Sequence, residues 1–244
     1  MKRKILMSVL VCLFILGTCM GAVREISVSN TVNGRELPIY SVETEAKQVA
    51  LSFDATWGNE YMKQILDVLD KYDVKATFFL TGNWVGKYPE DVKQIQLARH
   101  DIGNHSENHK AMSQLSKEAC KEEIVSVHEK VKALTGIEMK LFRVPYGDYD
   151  DQVIRTAKAC GYEVIQWSID SQDWKDYGKE SIVKTILKSG AIILMHSGAK
   201  YTKDALESVI LGLREQGYEL VPVSELIYKE NYHLDVTGRQ IKNK

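Results

Sequence analysis

From residue 49 onward, short apolar runs alternate with longer segments whose apolar residues recur every three to four positions. The first pattern marks strands buried on both faces, and the second marks amphipathic helices. Strands are predicted over 49–53, 76–80, 141–143, 162–169, 191–195 and 218–223, with a short one at 101–104. Helices are predicted over 61–72, 92–99, 117–134, 151–159, 180–188 and 203–216. Ile65, Leu66 and Leu69 share one face of the first helix, and Gly136, Gly161 and Gly217 stop three of the others. Ahead of this rhythm, alternating residues at 26–30 and 37–42 flank Asn33-Gly34, a hairpin signal. Residues 22–45 therefore read as a short β extension, 46–231 as one α/β domain and 232–244 as a C-terminal tail.

Strand–helix alternation implies parallel strands joined by helical crossovers. Neither a Gly-rich dinucleotide fingerprint nor a Gly-rich phosphate loop with its Lys occurs. Asp54, Arg143, Asp170 and His196 each lie at or just beyond the C-terminal end of a predicted strand, and His105 follows the short one. In a (β/α) barrel those ends share one face, so residues distant in sequence converge there. An open doubly wound sheet gathers fewer of them. A (β/α) barrel preceded by a short β hairpin is the expected architecture.

The bulk composition narrows the partners. At 244 residues the chain suits one domain with a sizeable core, and a net charge of -1 gives nothing to recruit nucleic acid. Lys2, Arg3 and Lys4 precede an uncharged, mostly apolar run over 5–20. That run is shorter than the roughly 20 residues a membrane span needs and suits a signal sequence. Residues 1–21 thus read as a signal peptide, cleavable near Gly17, Gly21 or Ala22, or as an uncleaved N-terminal membrane anchor. Either places the bulk of the protein outside the cytoplasmic membrane. Cys12 and Cys19 fall in this segment, while Cys120 and Cys160 are expected as buried or free thiols.

His105 and His109 carry the most specific chemistry. Four residues apart, they face one side of a turn, a spacing that suits two imidazoles on one Zn²⁺-like ion. A pair of surface histidines on a polar turn is the plain alternative. The metalloprotease pattern is disfavoured, since Ser106 stands where it needs Glu. Asp54 ends an apolar strand, either as a general base toward water or as a cap of the next turn. Arg143 either pairs with such an Asp, holding it ionised, or is an ordinary surface Arg. Pro145-Tyr146-Gly147 is a turn, and its functional reading aims the Tyr146 N–H at an oxyanion. His196 is either a satisfied rim group or a general acid near neutral pH. In the second case Asp173 orients it, while Trp174 and Leu194 shape a small apolar pocket.

Taken in order, Ser52-Phe53-Asp54-Ala55-Thr56-Trp57-Gly58, His105-Ser106-Glu107-Asn108-His109, Arg143-Val144-Pro145-Tyr146-Gly147, Asp170-Ser171-Gln172-Asp173-Trp174 and Leu194-Met195-His196 resemble one family. It is that of the polysaccharide deacetylases with a NodB-type domain, carbohydrate esterase family 4, and the likeness spans roughly 49–226. The first block and the export segment look most like the family's sporulation-associated branch. The resemblance implies a distorted (β/α) barrel with an open glycan groove and a monomer. It implies Asp54 as catalytic base, Arg143 as its tether, and His105 with His109 as ligands of a divalent metal, Zn or else Co. It further implies Tyr146 as an oxyanion-hole N–H, Asp173 tuning the acid His196, and Leu194 with Trp174 lining the acetyl slot.

One position departs from the family pattern. The first block normally carries two consecutive Asp residues, the second being the third metal ligand, and here that place is Ala55. Asn104 and Glu107 are oxygen donors close enough in sequence to substitute. The leading expectation is an exported, metal-dependent N-deacetylase of an N-acetylated glycan such as peptidoglycan or a chitin-like chain. A catalytically silent glycan-binding wall protein of the same fold is the rival that Ala55 favours, and an O-acetyl esterase is a third reading.

Overall fold

The computed structural model describes residues 28–29, 31–175, 177–184 and 190–243. The segment read as signal peptide or anchor, with Cys12 and Cys19, lies outside the described residues. Among the described residues no helix is long and apolar enough to cross a membrane. Cys120 and Cys160 are free thiols.

The strands are β1 (Val28–Ser29), β2 (Thr31–Val32), β3 (Arg35–Glu36), β4 (Ser41–Val42), β5 (Gln48–Ala55), β6 (Thr77–Leu80) and β7 (Asp101–Asn104), then β8 (Leu141–Phe142), β9 (Glu163–Val164), β10 (Ile169–Asp170), β11 (Ile192–His196), β12 (Glu219–Leu220), β13 (Tyr232–Leu234) and β14 (Arg239–Lys242). The helices are α1 (Met62–Lys71), α2 (Gly82–Lys87), α3 (Pro89–Leu97), α4 (Lys117–Thr135), α5 (Asp151–Ala159), α6 (Lys179–Lys184), α7 (Thr202–Glu215) and α8 (Val223–Leu226). Local chemistry sets several boundaries. Ser116 and Asp150 cap α4 and α5 by accepting the N–H of Ala119 and Val153, and Gly136 closes α4 in the left-handed conformation at φ +76°.

The main sheet has the order β10-β11-β5-β6-β7-β8-β9, with β12 beside the start of β5, and all its pairings are parallel. Residues 165–168 carry the chain from edge strand β9 directly to edge strand β10, so the sheet curls into a distorted barrel. The remaining gap is spanned by residues 39–42. Ile39 bridges to Ile165, and Ser41 bridges to Ala191.

The strand period of two decides what each face does. Along β5, Val49, Leu51, Phe53 and Ala55 pack into the layer shared with Ile65 and Leu69 of α1 and with Ile193 and Met195 of β11. Ala50 instead joins Phe79, Leu141, Ile165 and Ile192 in a second cluster inside the barrel. Ser52 and Asp54 follow Ala50 at the same period and so point inward. Parallel register sets Leu194 beside Ser52 and His196 beside Asp54.

Three expectations change. The hairpin around Asn33-Gly34 is only β2 with β3; β1 pairs in parallel with β13, and β4 with β14. The flanking residues thus find partners about two hundred positions away in preference to one another. The run over 162–169 is two short strands, because the barrel's edge turns at Trp167 and Ser168. Helix α2 was not anticipated; Thr81 accepts the Trp84 N–H to start it.

Candidate active site

Asp54 sits at the inner end of β5, almost fully buried, with each carboxylate oxygen engaged. Arg143 Nη1 donates to Oδ1 at 2.8 Å, and His105 Nε2 lies 3.3 Å from Oδ2. Arg143 is itself fully buried just past β8, its guanidinium 4.1 Å from the centre of the Phe79 ring and its Nη2 donating to Ser52 Oγ at 2.7 Å. Ser52 passes the contact on by donating to the Ile193 carbonyl. Burial opposes ionisation of Asp54, yet the Arg143 guanidinium holds its carboxyl below the ordinary carboxylate range. Replacing Arg143 by Ala strands this carboxylate without its cation. We expect a loss of about 3–5 kcal/mol in urea denaturation at neutral pH; a loss below about 1 kcal/mol would mean that Asp54 simply rehydrates.

Arg143 also fixes His105. Its backbone carbonyl, an acceptor only, takes the His105 Nδ1–H at 2.8 Å, which turns Nε2 toward Asp54. Burial keeps His105 below the ordinary imidazole range. The turn from His105 to His109 contains two left-handed residues that are not glycine, Ser106 at φ +66° and His109 at φ +54°. Such strain persists only where surroundings enforce it. Here Asn104 Oδ1 accepts the Ser106 N–H, Ser106 Oγ accepts the His109 N–H, and Glu123 accepts from both the backbone and the side chain of Asn108. Burial and neighbouring His105 push His109 down to about 4, so both imidazoles are neutral near pH 7.

A second carboxylate–imidazole pair faces the first. Asp173 receives three donors: the His196 ring at 2.8 Å, the His196 backbone N–H at 2.7 Å and Thr202 Oγ1 at 2.6 Å. Burial works against charge on His196, but the Asp173 carboxylate overcomes it and raises His196 above the ordinary imidazole value.

Between the pairs opens a cavity of about 720 Å³ whose walls include Asp54, His109, Tyr146, Asp173, Trp174, Leu194 and His196. His105 and Arg143 are not among its walls; both are buried behind it. Tyr146 adopts φ +59° within its Pro-Tyr-Gly turn, and its ring meets His109 edge-on at 4.4 Å. Sequence reasoning passed over Ser52, Thr202, Trp57 and Trp167. The first two act through hydroxyls that any strand or helix start can carry, and a lone Trp reads first as a core residue.

A family model described as polysaccharide deacetylase matches residues 41–165. The chain belongs to the polysaccharide deacetylase family. It is similar to a peptidoglycan-N-acetylglucosamine deacetylase of Bacillus cereus, 38% identical over 196 residues that cover 77% of this chain and 92% of that one. It is 35% identical over 193 residues to the uncharacterised protein YlxY of Bacillus subtilis, of whose length it spans only 60%, and 78% of this chain is covered. The structure of a carbohydrate esterase family 4 pseudoenzyme from Bacillus anthracis superposes with a TM-score of 0.76 at 35% identity, covering 78% of this chain and 68% of that one. A mutant of that pseudoenzyme is described as having restored enzymatic activity.

Polysaccharide deacetylases are generally metal-dependent, and the donors here fit such an ion in part. His105 and His109 are neutral, their rings are 4.9 Å apart, and His109 Nδ1 is buried with no hydrogen-bond partner among the described residues. Those are soft-to-borderline nitrogen donors of the kind Zn²⁺ takes. The family's third ligand is missing: Ala55 is a fully buried methyl group. Neither candidate substitute serves. Asn104 spends its amide on Ser106, Ile124 and Tyr162, and Glu107 pairs with Lys130 through Oε1 while its unpartnered Oε2 lies against Gly82, where a Cβ would stand. Among the described residues no group of three or more His, Cys, Asp or Glu is placed to hold an ion.

Proposed function

We propose that the protein is an exported N-deacetylase acting on an N-acetylated cell-wall glycan, peptidoglycan being the best-supported substrate, with a role in sporulation. The observation that carries this reading is the pairing of a depressed carboxylate with an elevated imidazole, Asp54 and His196, side by side on adjacent strands at the mouth of one cavity. Environments that push two titratable groups apart in this way assign a base and an acid at one pH. A glycan-binding protein with no reaction to perform has no use for the set. The B. cereus relative acts on peptidoglycan, as its name states.

In this reading Asp54, kept ionised and aimed by Arg143, takes the proton of a water entering the cavity. The acetamide methyl lodges against Leu194 and Trp174. The Tyr146 N–H donates to the oxygen that becomes negative as the carbonyl is attacked. His196, charged through Asp173, gives its proton to the departing amine, so acetate and a free amino sugar result. A divalent ion, Zn²⁺ or Co²⁺, held by His105 and His109 supplies Lewis-acid polarisation of the carbonyl when bound.

Activity then rises as pH climbs through the depressed Asp54 value and falls as pH passes the elevated His196 value. Asp173→Asn removes the charge that raises His196, so the alkaline limb of kcat/KM moves to lower pH while the acid limb stays. A profile unchanged by this substitution would remove His196 from the role of acid.

Acetate release from peptidoglycan and chitooligosaccharides, measured with chelator and then with Zn²⁺ or Co²⁺, tests the whole reading. Release restored by metal supports the deacetylase. The absence of Asp at Ala55 and the likeness to a pseudoenzyme favour a second reading, a silent glycan-binding wall protein. A folded protein that binds the glycan and releases no acetate under any metal establishes that one.

A further inference from the structure

Four aromatic side chains are exposed among the described residues: Trp57 at 63%, Tyr146 at 67%, Trp174 at 56% and Tyr177 at 67%. They are not scattered. Trp57, Tyr146 and Trp174 are walls of the cavity between Asp54 and His196, and Tyr177 stands three residues beyond Trp174, sharing Lys175 with it. Large apolar groups gathered around one opening mark a surface made for contact.

Of the three exposed aromatic residues in the cavity wall, Trp57 is the one that no step of the reaction uses. Its side chain is open, yet its backbone is pinned from two directions. The Gly58 carbonyl accepts Trp84 Nε1–H at 2.7 Å, with Gly58 itself at φ +59°. The Trp57 carbonyl packs so closely on Gly198, two residues past His196, that a Cβ there would lie 2.4 Å from it. One edge of the indole meets the His109 ring at 5.2 Å, and the remainder faces outward. An exposed indole gains nothing for the fold by being fixed this way. Pre-orientation does matter for a ligand, because a side chain already held in place loses little freedom on binding.

The ligand class follows from the ring. An aromatic face carries negative charge density and an apolar surface, and it attracts flat ligands whose faces are apolar or weakly positive. A pyranose presents such a face through its axial C–H bonds, while its hydroxyls stay in water. We infer that Trp57 is a stacking platform for the sugar ring adjoining the one whose acetamide enters the cavity. This rests on the glycan reading above but does not depend on turnover. Trp57 makes the protein a reader of chains rather than of single sugars, and it does so with no metal present.

Calorimetric titration in chelator with chitotetraose, and with a reduced tetrasaccharide of peptidoglycan, tests it. Trp57→Ala should weaken binding of the tetrasaccharide that the parent takes by about tenfold or more, as loss of a Trp anchor does. Trp57→Phe should retain most of it, and the thermal midpoint should not move in either variant. In turnover the same change should raise KM for the tetrasaccharide and leave kcat alone. Binding by Trp57→Ala within about twofold of the parent, the range of a neutral surface substitution, overturns the inference and leaves the deacetylase reading standing. Intact, Trp57-dependent binding without acetate release does the reverse. A parent that binds neither tetrasaccharide overturns both.

Discussion

Asp54→Asn should lower acetate release by about 10²–10⁴-fold, the range a positioned general base contributes, while glycan binding stays in place. The substitution suits the test because it changes charge and little else. An amide oxygen still accepts from Arg143 Nη1, and His105 keeps its Nδ1–H on the Arg143 carbonyl. The buried cluster therefore keeps its hydrogen bonds and loses its proton acceptor. Acetate assays at saturating oligosaccharide, beside titration of binding, separate the two effects. Turnover equal to the parent's would remove Asp54 from the role of base.

Ala55→Asp should have the opposite sign in metal binding and a cost in the fold. Ala55 ends β5, fully buried among apolar side chains and paired with Leu80 of β6. A carboxylate there has no partner of opposite charge until an ion joins His105 and His109. We expect the variant's thermal midpoint to fall below the parent's in chelator and to rise on adding Zn²⁺, because an ion that binds only the folded state stabilises it. Divalent affinity should tighten by at least the 10–100-fold that changes around a metal site commonly cause, read by competition with a chelating dye. Affinity equal to the parent's would show that the ion is held elsewhere.

How far the sequence led depends on the range over which each feature is decided. Helices α1, α4, α5 and α7 follow from local periodicity, and stops at Gly136, Gly161 and Gly217 end three of them. Strands β5, β6 and β11 follow from apolar runs long enough to cross the barrel. The positions of Asp54, His105, Arg143 and His196 around one opening follow from strand ends. What stayed hidden depends on contacts between distant residues. Nothing near Thr202 announces that its hydroxyl will reach Asp173, and nothing near Ser52 announces Arg143, 91 positions away. The pairing of Val28 with Tyr232 is invisible for the same reason. Asn104 and Glu107 are candidates for the missing ligand in sequence because sequence shows which atoms are nearby, not that Asn104 is engaged by Ser106 or that Glu107 turns its open oxygen toward Gly82.

The span that bridges the barrel's gap bears on how the chain is made. Residues 39–42 reach Ile165 and Ala191 on one side and are held on the other by β14, where Gln240 is fully buried and its carbonyl accepts the Glu43 N–H. A ribosome releases the strap some two hundred residues before the clasp. Until β14 emerges, the strap therefore lacks the strand that holds it across the gap, and these long-range pairings come last. A polypeptide whose clasp trails its strap by some two hundred residues cannot close its barrel as it emerges.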